Sequence, residues 1–377
     1  MLVYNGEGFV ERALRSLAVA RDAAATVELD TLVLDDASPA PGWSARVAGT
    51  CAELGISYYR SPRNLGIPRN MNLALLEGLA ERYDYVLLLN SDLVVPANLG
   101  DGLVAAARSA PQVGSVTAWS NNASIFSLPV EADFVAEQQR VSALSAALAG
   151  SGLPATARLP VAVGFCMLLP REAIEMVGLF DPVFGRGYCE EIDWSLRSHQ
   201  TGLRSLLAPG VFVHHLGSGS TRPEGLLPPG GATVDRHEAI IDERYPTYRS
   251  ELQAFSDSGA IATLCERATT AVALGGMRER GYVVVLGDGP PGRTDLPVVR
   301  CSSTRPPRTA EVRWLGLGAT ITLSTDDLFE GLAGLVGRPA TAVHLTTGVP
   351  ADLRRIAHAS VAAEQVCEDV SYPIRAL

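Results

Sequence analysis

Short apolar runs alternate with stretches of helical period through the first 120 residues. Leu2-Val3-Tyr4 predicts a short strand. From Phe9, apolar residues recur at Ala13, Leu14, Leu17 and Ala18, the three-and-four spacing of a buried helix face. Strands are predicted at Thr31 to Leu34, Ile56 to Tyr59, Tyr85 to Leu89 and Val113 to Thr117, and helices at Ile67 to Leu79 and Asn98 to Ala107. This βαβα rhythm predicts an α/β fold, a mostly parallel sheet with helices on both faces.

Beyond residue 160 the pattern loosens. Val161 to Leu169, Leu203 to Leu207 and Val211 to His215 predict strands, and Arg171 to Val177 and Glu191 to Thr201 predict helices. A glycine-rich turn stands at Gly185-Arg186-Gly187. Residues 217–231 carry glycine and proline without apolar period, and a loop of that length reads as a functional lid. A mainly helical stretch follows, and from Tyr282 a second βα pattern begins. Its strands are expected at Val283 to Leu286, Val298-Val299, Ala319 to Leu323 and Val343 to Leu345, with helices at Thr325 to Leu335 and Ala351 to Ala363. The expected organisation is a main domain over 1–235, a helical connector over 236–269 and a smaller α/β domain over 270–377.

Composition narrows the function classes. Of 377 residues, 47% are hydrophobic and only 19% charged, which suits folded cores. The net charge of −10 gives no general attraction for nucleic acid or anionic lipid. A polyanionic ligand would then need a local device, such as a bound cation or backbone N–H groups. No apolar run approaches the ~20 residues of a membrane span, and no signal-peptide layout opens the chain. The six cysteines include no Cys-x-x-Cys pair, which argues against zinc and against a disulfide framework. The expected location is the cytoplasm, with peripheral membrane attachment left open.

Candidate chemistry gathers at strand ends, where open parallel sheets bind ligands. Asp35-Asp36 follows its strand directly, and its carboxylates suit a base or ribose, although Asp-x-Ser-Pro is also ordinary turn chemistry. Asn90-Ser91-Asp92 follows five apolar residues, placing a carboxylate at the rim of a buried strand, where a hard divalent cation could bridge diphosphate oxygens. Asn64-Leu65-Gly66 leads into a helix with Pro68 in its first turn, and Arg69 and Asn72 stand within reach of a nucleotide there. Glu190-Glu191-Ile192-Asp193-Trp194 packs three carboxylates into four positions. Something must offset their repulsion: a cation, Arg197 or a raised pKa. His214-His215 ends a strand, so at most one imidazole faces a site.

Taken together, these residues resemble family 2 glycosyltransferases of the GT-A fold. The resemblance runs from Val3-Tyr4-Asn5-Gly6 through Asp35-Asp36-Ala37-Ser38, Asn64-Leu65-Gly66 with Asn70 and Asn72, and Asn90-Ser91-Asp92. It continues through Gly164-Phe165, Val177-Gly178-Leu179-Phe180-Asp181, Glu190 to Arg197 with Gly202, and His215 with Gly217. It covers roughly 1–220 and leaves the chain beyond about 270 outside. It implies an inverting glycosyltransferase that moves a hexosyl or deoxyhexosyl unit from a nucleoside diphosphate sugar to an acceptor hydroxyl, with Mg²⁺ or Mn²⁺ on the diphosphate. The acceptor would be a glycan, a lipid-linked sugar or a small molecule, and a homo-oligomer is not excluded.

By this resemblance Glu191 is the catalytic base, and Asp92 with His215 holds the metal. Tyr4, Asn5, Glu7, Asp35, Asp36, Asn64, Gly66, Arg69, Asn72, Asn90, Ser91, Glu190, Asp193 and Trp194 are the expected substrate and nucleotide contacts. Three features depart from the family pattern. The Asp-x-Asp motif reads Asn90-Ser91-Asp92, lacking its first acid. The base is Glu where Asp is usual, and the first strand starts almost at Met1, so the natural start is expected upstream. Two rival classes remain: a non-catalytic sugar-nucleotide-binding protein, and a nucleotidyltransferase. The latter is disfavoured because Asn5-Gly6-Glu7-Gly8 carries an acid and no base.

Overall fold

The computed structural model describes residues 1–131, 134–217, 232–287, 295–301, 308–323, 328–346, 349, 354–355, 357–358 and 366–368. The chain forms two units, one of residues 1–127 and 135–263, the other of residues 128–134 and 264–377. The first unit therefore ends at 263, not 235. The stretch expected as a connector folds largely into it.

In the first unit, β1 (Leu2–Val3), β2 (Leu32–Asp35) and β3 (Ser57–Arg60) make a parallel sheet, joined by α1 (Val10–Ala23) and α2 (Trp43–Leu54). α3 (Ile67–Ala80) leads to β4 (Tyr85–Leu89), β5 (Leu93–Val94), α4 (Leu99–Arg108) and β6 (Val113–Ser120). α5 (Gln138–Ala149), β7 (Ala157–Leu159), β8 (Cys166–Pro170), α6 (Arg171–Val177), α7 (Glu190–Gln200) and β9 (Arg204–His215) follow. These strands form a second sheet in the order β4-β8-β6-β9-β5, with β7 also on β9. Here β6 and β9 run parallel while the pairs β4/β8, β6/β8, β5/β9 and β7/β9 are antiparallel. The α/β layout expected from the period is present. The parallel order holds for the first three strands, and the sheet turns mixed beyond them.

Two local departures shape the cleft described below. The strand expected over 161–169 is formed only from Cys166, so Val163, Gly164 and Phe165 stay free to line a cavity. The two strands expected over 203–215 are one strand, β9, whose register shifts near Ala208. Residues 218–231, expected as a lid, lie outside the described residues, as does most of the helix expected over 351–363.

α8 (Ala232–Arg244) and α9 (Tyr248–Asp257) bury Ile241 and Tyr248 against Val161, Phe184, Cys189 and Leu196. A second core joins α3 to α7 through Met71, Leu75, Phe180 and Trp194. Each large apolar side chain fully withdrawn from water in this way contributes about 1.5–3 kcal/mol.

The second unit takes in α10 (Ala260–Arg280) from Leu264 onward. It contains β10 (Val283–Leu286), β11 (Val298–Cys301), β12 (Arg308–Trp314), β13 (Leu317–Leu323), α11 (Leu328–Val336), β14 (Ala342–Leu345) and β15 (Val366–Glu368). Its six strands run β13-β12-β11-β10-β14-β15 around a core with Met277, Tyr282, Val284 and Leu332. Among the described residues no helix is long and apolar enough to cross a membrane.

Candidate active site

The first unit holds a cleft of ≈ 310 Å³ at the ends of β1, β2, β4 and β9 and the start of α7. Tyr4, Asp36, Asn64, Gly66, Asn90, Ser91, Asp92, Glu190, Glu191 and His215 all line it. Residues far apart in sequence thus meet on one wall.

Asp36 fixes one end of the cleft. Its two carboxylate oxygens accept from the N–H groups of Leu65 (2.6 Å) and Gly66 (2.9 Å). Burial pushes its pKa up, the two backbone donors pull it back and Asp35 adds to the rise. Gly66 has φ of 82°, and a Cβ there would run into the carbonyl oxygen of Gly185. Glycine is therefore required at this close approach.

Asp92 and His215 meet because β5 and β9 pair in the register Leu93↔His215. His215 Nε2 lies 3.3 Å from Asp92 Oδ1. Its ring stacks on Phe165 at 5.3 Å, and its Nδ1 lies 3.0 Å from the Asn122 carbonyl oxygen. A carbonyl only accepts, so Nδ1 carries a proton toward Asn122, and Nε2 is the ring atom that faces Asp92. His214 is buried, and its pKa is pushed down to about 4 by burial, Arg12 and His215. His215 is thus the histidine that faces the cleft.

Among the described residues no group of three or more His, Cys, Asp or Glu side chains could hold a metal. Asp92 and His215 offer one oxygen and one nitrogen. That set fits a divalent cation only if a ligand's phosphates and water fill the other positions.

Glu190 and Glu191 open α7 after two non-glycine residues at positive φ, Tyr188 (72°) and Cys189 (75°). Backbone held in so sparsely populated a region points to a positional demand at this turn. Glu190 is buried and Glu191 half-buried, and the Oε2 atom of each is enclosed without a hydrogen-bond partner. Burial and then the neighbouring Glu191 charge raise the Glu190 pKa well above normal. Burial also raises Glu191, but the backbone groups of Glu191 itself, Gly164 and Ile192 pull it back. Both carboxyls are therefore raised by burial, and they titrate as a pair.

Seven expected contacts are not in the cleft wall. Asp35 is enclosed by donors from Ser38, Ser44 and Tyr58, which outweigh the effect of burial and lower its pKa. Asn5 is held through its N–H by Ser38 Oγ at 2.8 Å and supports the turn from behind. Glu7 is exposed and pairs with Arg46, and Arg69 points to an exposed face. Asp193 is fully buried between Arg197, Arg244 and the Tyr245 hydroxyl. That network explains how a third acid is tolerated beside two others. Trp194 is a core side chain whose indole N–H donates to the Gly178 carbonyl.

Asn72 is likewise structural. Its side chain donates to the Phe180 carbonyl (2.9 Å) and accepts from the Phe180 N–H (2.8 Å). Asn72→Ala strands both buried backbone groups and should cost about 1–3 kcal/mol of stability, read from a urea melt. An unchanged midpoint would contradict the structural role.

Arg186, Tyr188, Asn122, Val163 and Gly164 also line the cleft without having been assigned from sequence. Only the glycines flanking Arg186 hinted that its turn had a special shape.

Residues 1–134 match the family model described as Glycosyl transferase family 2. No curated protein matches the chain. Among solved structures the chain is similar to GalNAc-T7 with UDP, GalNAc and Mn²⁺ (13% identity, 72% of this chain and 54% of that one, TM-score 0.45). It is similar also to the mannosyltransferase PcManGT from Pyrobaculum calidifontis in complex with GDP-Man and Mn²⁺ (19%, 74% and 86%, TM-score 0.38). A third is S. aureus TarS (14%, 59% and 37%, TM-score 0.41). The chain spans about half the length of the first of these, 54%. At such TM-scores none of the three assigns a role to a residue here. The family match stands over its own stretch: residues 1–134 are similar to glycosyl transferase family 2.

Proposed function

We propose that the protein is an inverting glycosyltransferase that moves a hexosyl or deoxyhexosyl unit from a nucleoside diphosphate sugar to an acceptor hydroxyl. The observation that carries this is the convergence of Asp36, the Asp92–His215 pair and the Glu190–Glu191 pair on one cleft. A family 2 domain over 1–134 supplies the first two groups' setting, except His215.

In this reading Asp36, Tyr4 and Asn64 receive the nucleoside, and Asn90 and Ser91 flank the diphosphate. Asp92 and His215 would hold Mg²⁺ or Mn²⁺, which when bound offsets the charge that grows on the leaving diphosphate. Glu191, ionised while Glu190 keeps its proton, accepts the acceptor hydroxyl proton as that oxygen attacks the anomeric carbon. One displacement inverts that carbon. Burial keeps Glu191 basic in this reading, and the protonated Glu190 adds no second charge beside it. The acceptor in this reading is a glycan, a lipid-linked sugar or a small molecule.

A thermal-shift panel of UDP, GDP, dTDP and CDP, each with and without Mn²⁺, tests the donor site. One diphosphate at 100 times its dissociation constant should stabilise the fold by about 2.7 kcal/mol. No shift with any of them would remove the donor reading.

A further inference from the structure

Among the described residues the cleft wall carries one arginine, Arg186, and four carboxyls, Asp36, Asp92, Glu190 and Glu191. Several arginines elsewhere in the first unit are spent on partners. Arg197 and Arg244 bind Asp193, Arg46 binds Glu7 and Glu11, and Arg249 binds Glu238 and Asp242. Among the described residues no hydrogen bond or ion pair engages Arg186, and its side chain is exposed to the cleft.

The backbone under this guanidinium is held from three sides. The Gly187 N–H donates to the Phe184 carbonyl at 2.8 Å, and the Gly187 carbonyl lies 3.0 Å from His237 Nδ1. A Cβ on Gly187 would press Ile67 at 2.7 Å, and one on Gly66 would meet Arg186 Cα at 3.3 Å. Arg186 therefore rests on the Gly66–Ile67 loop, which Asp36 pins from the other side. Gly185, Gly187, Tyr188 and Cys189 all have positive φ, so four of the five positions of this turn are in the left-handed half of backbone space. Such a turn fixes where the Arg186 side chain starts.

We propose that Arg186 binds the diphosphate of the donor and stabilises it as it leaves. This rests on the donor reading above. In the transfer, the bond from the anomeric carbon to the diphosphate oxygen breaks, and its electron pair stays on that oxygen. The acceptor oxygen forms the new bond to the anomeric carbon, and its proton passes to Glu191. Negative charge on the diphosphate rises by one as this happens. A planar guanidinium with five donors, fixed at its root and free of other partners, is suited to that charge. Its site beside Gly66 sets it near Asp36, the end of the cleft that receives the nucleoside in the donor reading.

The test uses inorganic pyrophosphate, UDP and GDP, each with Mn²⁺, and the nucleosides uridine and guanosine, titrated calorimetrically into the whole chain. Arg186→Gln should weaken pyrophosphate and the bound nucleoside diphosphate by about tenfold or more and leave the nucleoside unchanged. Arg186→Lys should recover part of the loss. Arg108→Gln, which removes the same charge from an exposed helix end, should match wild type.

Wild-type pyrophosphate affinity in Arg186→Gln overturns the proposal, as does a loss found in Arg69→Gln instead. If Arg186→Gln also loses the nucleoside and melts lower, the Lys variant decides: recovered pyrophosphate binding supports the proposal and equal loss overturns it. Wild-type protein that binds neither pyrophosphate nor any of UDP, GDP, dTDP and CDP overturns the donor reading and this proposal with it. A turnover loss confined to acidic acceptors, with diphosphate binding intact, assigns Arg186 to the acceptor and overturns it too.

Discussion

Glu191→Gln is expected to lower turnover at least ~10²-fold while sugar-nucleotide affinity stays within about twofold of wild type. Turnover here means nucleoside diphosphate released from the sugar nucleotide. Gln keeps the shape of Glu191 and cannot accept the acceptor proton. Unchanged turnover would sink the base assignment. A loss through misfolding is separable from a loss of chemistry because the two predict opposite stability changes.

The sign follows from the raised pKa of both carboxyls. A carboxyl whose folded pKa exceeds its unfolded value favours the fold at low pH, and that contribution is lost as pH rises through the folded value. At pH 8 the wild type bears the cost of ionising a buried carboxyl beside another. Glu191→Gln removes one ionisation, so its melting temperature at pH 8 should equal or exceed that of wild type. The gap should close as pH falls toward 4.5, the ordinary Glu value. In the wild type, the acidic limb of the rate profile should lie above the ordinary carboxylate range. Glu190→Gln should leave that limb in place, because Glu190 is neutral while Glu191 ionises in this reading and burial is the main cause of the raised Glu191 value. A limb that moves to lower pH would mean that Glu190 is charged beside Glu191.

The parts of the site that can be read from sequence are those set by local geometry. Asp36 and Asp92 end or follow apolar strands, and the period alone places them at a sheet rim. Glu190 and Glu191 open a helix behind a glycine turn, which is also a local signal. The errors lie where a side chain's partner is distant. Asp193 is taken up by Arg244, 51 residues on, and Asn72 by the backbone of Phe180, 108 residues on. No window along the chain shows such a partner, so both polar side chains read as site residues.

Arg69 and Arg186 differ in what the sequence shows of them for a related reason. Arg69 stands in a stretch that matches the family pattern, but the turn of α3 directs it to solvent. Arg186 has no motif, and only the folded approach of its turn to Gly66 brings it to the cleft. The extent of the first unit was misread in the same way. The buried face of α8 and α9 is complementary to Phe184 and Cys189, which the helices' own period does not name.

EDTA should lower wild-type turnover at least ~10²-fold, and Mn²⁺ or Mg²⁺ should restore it. Asp92→Ala should show about the same residual rate with or without metal, because the carboxylate oxygen beside His215 Nε2 is gone. The readout independent of activity is nucleoside diphosphate affinity measured with and without Mn²⁺. Wild type should gain from the ion and Asp92→Ala should not.

The missing first acid makes this prediction sharper. Asn90 lines the same wall, but its amide is neutral, so it contributes no charge to hold a cation. With one carboxylate and one imidazole, the protein alone should bind Mn²⁺ weakly and bind it well only when a diphosphate supplies further oxygens. Metal affinity should therefore rise at least about tenfold when pyrophosphate is present, and by linkage pyrophosphate affinity should rise by the same factor with metal. Equal Mn²⁺ affinity with and without pyrophosphate would mean that the ion and the diphosphate do not share the Asp92–His215 site. If EDTA leaves the wild-type rate intact, Asp92 and His215 are simply a carboxylate–imidazole pair, and the leaving charge must be met by Arg186 and backbone donors alone.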